Sequence, residues 1–231
     1  MVVALTAAGG TITLLIGTVL LRLTVTGTYR RYVRVGMGPW LAVAGCALVL
    51  LGVLTLVRVI RRDRLDADPI HDHGAGGVGW LLLAPIAALL LVAPPTLGSF
   101  GIERGATVDV RAGPAVFEPL RGAGPFPMTL LEFGQRAFEH AGASLANATV
   151  SLTGFVAAPG AGGFELARYQ IACCAADATP VVVRVMGVFG DVPPADHWVR
   201  VTGRSGSVNG DIPELVATSV VEIATPDDPY E

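Results

Sequence analysis

The chain has 231 residues, of which 52% are hydrophobic and only 15% charged, with a mean hydropathy of +0.59 and a formal net charge of −3. A soluble globular domain carries nearer about 25% charged residues, so this balance argues against a wholly soluble protein. The slight acidic excess gives no reason to propose a nucleic-acid partner.

The apolar excess is concentrated before residue 100, and residues 104–231 have the composition of an ordinary soluble domain. All sixteen basic residues are Arg, beside abundant Ala, Gly and Val, a composition associated with GC-rich bacterial coding sequence. The three cysteines, Cys46, Cys173 and Cys174, are too few for a disulfide framework.

The first expected element is a membrane span over residues 2–21, an uncharged stretch long enough to cross a hydrocarbon layer of about 30 Å as a helix. It lacks the basic n-region of a cleavable leader, so it is expected to be retained. A second span follows at residues 39–57, with Pro39 in its first turn and Arg58, Arg61, Arg62 and Arg64 beyond its end. A third is expected over residues 78–100, with Trp80 at one boundary and Pro85, Pro94 and Pro95 bending or ending it. The first connection carries Arg30, Arg31 and Arg34, with Arg22 close by, so the two loops nearly tie by the positive-inside rule. Three spans put the N-terminus and the C-terminal domain on opposite sides, and the domain is expected outside.

Between the second and third spans runs a polar connector, residues 66–77, containing His71-Asp72-His73. Two imidazoles flanking a carboxylate can supply ligands to a divalent metal. An interfacial loop with solvated side chains accounts for the same residues.

Residues 101–128 are expected to be a linker. After it, residues 129–140 (TLLEFGQRAFEH) place Leu130, Leu131, Phe133, Ala137 and Phe138 at helical spacing. Five strand candidates follow, at residues 149–156, 164–173, 180–186, 197–203 and 212–223, separated by Gly-rich or small-residue turns. Five short strands with glycines near their ends fit an OB-fold-like five-stranded barrel over residues 129–231, preceded by a short helix. An OB-fold that binds oligonucleotides needs basic residues interleaved with aromatics. Here Arg168, Arg184, Arg200 and Arg204 are scattered singly among acids.

The most distinctive stretch is Cys173-Cys174-Ala-Ala-Asp177, at the end of the second strand candidate. On one strand the two cysteines would point to opposite faces. They can reach a single ion only if the strand breaks there, as the following Ala-Ala-Asp suggests. Zinc or another thiophilic metal suits such thiolates. The residues alone leave other readings open: small cysteines packed in a barrel core, with Asp177 capping the turn, or a thiol redox site. No Ser-His-Asp set, phosphate-binding glycine loop or pair of catalytic carboxylates stands out, so no enzymatic activity is expected.

Residues 128–157 (MTLLEFGQRAFEHAGASLANATVSLTGFVA), 164–185 (FELARYQIACCAADATPVVVRV), 197–203 (HWVRVTG) and 223–231 (IATPDDPYE) together resemble the YcgQ family of two-component permease subunits. The layout of the first half, with its HDH step and the stretch WLLLAPIAALLLVAPPTLGS, agrees with that resemblance. It implies an accessory membrane subunit beside a larger, YcgR-like multi-span permease. Some members are similar to proteins grouped with zinc-homeostasis genes, which implies metal handling. On that resemblance Cys173, Cys174 and Asp177 are the expected ligands, with His71 and His73 second. Three spans are few for a complete transport path, which typically needs two related repeats.

Overall fold

A computed structural model of the protein describes residues 2–63, 97–102, 107–112, 117–160, 162–188, 190–207 and 210–231. The chain divides into two compact units, residues 1–95 and 96–231. The connector with His71 and His73, and residues 78–96 of the third expected span, lie outside the described residues.

Among the described residues, the first unit contains two α-helices, α1 (Val2–Val25) and α2 (Gly38–Asp63). Both are long and apolar enough to cross a membrane. Each overruns its expected span, because Leu-Arg-Leu-Thr-Val after residue 20 and the Arg-rich end of the second helix still favour helix. The hydroxyls of Thr11, Thr13, Thr18, Thr24 and Thr55 donate to carbonyls four residues back, at 2.8–3.0 Å, so these polar groups are satisfied within their own helix. The two helices meet backbone to backbone. A Cβ on Gly17 would fall 2.7 Å from the Val49 nitrogen, and one on Gly52 would fall 2.8 Å from the Leu14 nitrogen. Small residues permit that approach where helices have no other driving force to pair. Trp40, Val43, Leu50 and Leu51 are more than half exposed, an apolar outer face unsuited to water.

The second unit is a closed barrel. Its strands are β1 (Phe126–Pro127), β2 (Val150–Gly160), β3 (Gly163–Gln170), β4 (Thr179–Met186), β5 (Trp198–Ser205) and β6 (Glu214–Ile223). Apart from the short β1, the order is β2-β3-β4-β6-β5, and β5 pairs back onto β2 to close the ring. Within this ring the pairings are antiparallel except β4 with β6, and β1 adds a short parallel pairing to β2. Those directions and that order are the topology of an OB-like barrel.

Alternation explains the interior. Val150, Leu152 and Val156 of β2, Phe164 and Leu166 of β3, Val181, Val183 and Val185 of β4, and Val199 and Val201 of β5 are buried in one cluster. The long β2 serves both sides of the ring, pairing with β5 through residues 150–155 and with β3 through residues 155–160. Gly154 permits a close approach of β3, since a Cβ there would lie 2.6 Å from the Ala167 carbonyl oxygen, and the register of β2 with β3 shifts between Val156 and Ala158. Helix α3 (Leu130–Phe138) adds Leu130, Phe133 and Ala137 to the core. Its first turn is capped by Thr129, whose hydroxyl accepts the Glu132 N–H at 3.0 Å.

Two expectations need correcting. The supposed linker 101–128 contributes to the barrel: Val110 is buried in the main core against Gly134, and Val108 donates its N–H to the Pro180 carbonyl. The third expected span does not extend to residue 100. Leu97 packs on the barrel, and Ser99–Gly101 forms a 3-10 turn in the second unit. The apolar run misled because Leu97, which ends it, packs on the aromatic cluster of the second unit.

That second core lies on the outside of the ring. Phe155, Ala167, Tyr169, Ile171, Val182, Trp198 and Tyr230 cluster there, with Leu97 and Ile102 packed over them. Phe155 stacks on Tyr169 with centroids 5.8 Å apart and meets Trp198 edge-on at 5.7 Å.

Candidate metal centre

Strand β3 ends at Gln170, before the cysteines, because the amides that follow are taken by other acceptors. Ile171 donates to the Glu231 carbonyl at 3.3 Å. The next three N–H groups turn towards Asp177. Ala172 donates to Oδ1 at 2.9 Å, Cys173 to Oδ2 at 2.9 Å and Cys174 to Oδ2 at 3.4 Å. A 3-10 turn, Ala175–Asp177, brings the carboxylate back over these donors. Asp177 therefore caps the turn, as its position suggested, and the strand breaks where a shared site requires it to break.

The break puts both thiols on one side. Their sulfurs lie 3.7 Å apart, as free thiols in S–H···S contact. Two sulfurs bound at about 2.3 Å to one tetrahedral zinc lie about 3.8 Å apart, so the pair already has the required bite. The two sulfurs and an Asp177 oxygen all lie within 4.8 Å of one another. These three side chains could hold a metal ion. His71 and His73 lie outside the described residues.

Cys173 and Asp177 are exposed and Cys174 is half-buried, so neither cysteine packs in the barrel core. Hydrogen bonding to the Asp177 carboxylate, with a smaller contribution from Cys174, pushes the Cys173 thiol up to about 11. The same S–H, followed by the backbone N–H groups, holds the Asp177 carboxyl down to about 2. The turn thus keeps its carboxylate charged and its more exposed thiol protonated in the absence of an ion.

The sequence did not point to the groups that brace this turn. The C-terminal residues fold back along β3, with Tyr230 bridging to Tyr169 and Glu231 donating its N–H to the Tyr169 carbonyl at 2.9 Å. Arg168 fastens them by donating to the carbonyls of Asp228 (2.6 Å), Pro229 (3.3 Å) and Tyr230 (3.1 Å). The open cleft beside α3, lined by Thr129, Ser151, Thr153 and Arg200 among others, includes none of the candidate ligands.

Fold and site together define a small OB-like barrel carrying an exposed dithiol–carboxylate turn. Residues 137–231 match the DUF1980 C-terminal domain family, a match that takes in the five strands and the turn and is consistent with a YcgQ-like protein. No curated protein and no solved structure matches the chain.

Proposed function

We propose that the protein is an accessory, membrane-anchored subunit of a two-component permease, whose barrel binds a zinc-class divalent ion through Cys173, Cys174 and Asp177. The observation that carries the metal assignment is the 3.7 Å separation of the two sulfurs on a turn that also offers a carboxylate. Binding converts both thiols to thiolates and releases their protons. The carboxylate, already charged, then faces the ion instead of the Cys173 S–H. The anchor rests on the length and apolar outer faces of α1 and α2. The permease partner, multi-span and YcgR-like, rests on the family resemblance, and an outward-facing barrel is part of the same proposal.

A thiol redox sensor fits less well. It needs an accessible thiol of lowered pKa, and the accessible one here, Cys173, is pushed up to about 11. Core packing of the cysteines is at odds with their exposure.

The test is metal stoichiometry of the reduced full-length protein in detergent. One Zn²⁺ per chain is expected, lost in the Cys173→Ser/Cys174→Ser variant. If that double variant binds zinc as tightly as the wild type, the ligand assignment is wrong.

A further inference from the structure

A structural zinc site surrounds its ion with four protein ligands, whereas a working site keeps a position open. Among the described residues, the turn offers three side-chain ligands. All come from residues 173–177, a stretch so short that its donors can occupy only one side of an ion. Nothing bulky borders them in sequence: Ala172, Ala175, Ala176 and Ala178 contribute methyl groups, which neither coordinate nor reach over the sulfurs. Ala172 and Ala176 are exposed, as are Cys173 and Asp177. Among the described residues, this low, exposed rim provides no fourth side-chain ligand.

Building on the metal assignment above, we infer that the fourth coordination position at the Cys173–Cys174–Asp177 turn faces outward and is filled by a soft-donor side chain, thiolate or imidazole, of a partner protein. The turn is then a transfer site, where the ion moves by ligand exchange. The incoming donor bonds to the ion as water leaves, an incoming thiol giving its proton to solvent. A Cys sulfur then departs and takes up a proton in return. No electrons are transferred, and the charge on the ion is unchanged throughout.

Co²⁺ bound to the reduced full-length protein in detergent reports both steps. A thiolate-to-cobalt charge-transfer band marks occupation of the Cys pair, and the ligand-field bands report the fourth ligand. Titration with free imidazole, and separately with 2-mercaptoethanol, is expected to shift the ligand-field bands saturably while the charge-transfer band persists. Ligand-field bands that stay fixed against both probes would overturn the open position and leave the metal assignment standing. Absence of the charge-transfer band would overturn the metal assignment itself, and the transfer site with it. The Cys173→Ser/Cys174→Ser variant, with circular dichroism matching the wild type, is expected to lose the charge-transfer band.

Discussion

Cys173 shares its environment with a carboxylate that is already committed to three backbone donors, and this sets its chemistry. Because Asp177 favours the protonated thiol, Cys173 forms thiolate only as the pH rises towards about 11, above the ordinary 9.0. Its alkylation by iodoacetamide is therefore expected to climb late with pH. Asp177→Asn removes the charge, returns the thiol towards its ordinary range and raises the alkylation rate near pH 9 several-fold. Mass-spectrometric rates for Cys173 that are equal in the two proteins would refute this role. Asp177 itself, lowered from 3.8 to about 2, supports the turn fully above about pH 4 and loses that hold only as the pH falls through its folded value. Much of this residue-scale chemistry was legible in Cys-Cys-Ala-Ala-Asp, since a short polar side chain after two alanines is a turn signal. The 3.7 Å sulfur separation was not, because it depends on how three amides converge on one carboxylate.

At the scale of elements, local pattern and long-range contact were unequally legible. The five barrel strands and α3 follow alternation and helical spacing, so their places could be read directly from apolar residues. The tail could not. Tyr230 and Glu231 follow a Pro- and Asp-rich stretch that resembles a surface loop, yet Tyr230 is 4% exposed and Glu231 is buried against Arg168, some sixty residues earlier. The Glu231 carboxylate also accepts the Leu130 N–H at 3.0 Å, at the first turn of α3. Burial raises its pKa, while Leu130 and Arg168 act in the opposite direction. Arg168→Gln removes one of those opposing influences and three carbonyl contacts, and is expected to cost about 2–3 kcal/mol at pH 7. The sign of its pH dependence follows. Protonation of Glu231 removes the charge that needs the guanidinium, so the deficit relative to wild type shrinks as the pH falls below the raised folded value. Thermal unfolding at pH 7 and pH 5 measures both gaps, and a deficit that widens on acidification would show that Glu231 is not the group being served.

For the whole molecule, the division into two units has a physical basis in how each is closed. Both hydrophobic clusters of the second unit draw their members from residue 97 onward, and the ring of strands leaves no unpaired edge between β2 and β5. Among the described residues, the first unit buries little of its apolar surface, and α1 and α2 approach each other closely at glycines. Residues 97–231 are therefore expected to fold without the first unit, as a soluble protein with one cooperative thermal transition. The starting residue matters. Gly98 accepts the Tyr169 hydroxyl at 2.8 Å, Ser99 donates its N–H to Asp196 at 2.6 Å, and Leu97 and Ile102 pack on the aromatic cluster. A fragment beginning at residue 104 loses all four and is expected to be less stable by about 2–4 kcal/mol. Equilibrium denaturation of the two fragments compares them directly. Equal midpoints would mean that residues 97–102 merely lie on the barrel, and an unfolded longer fragment would mean that the barrel depends on the apolar helices for its stability.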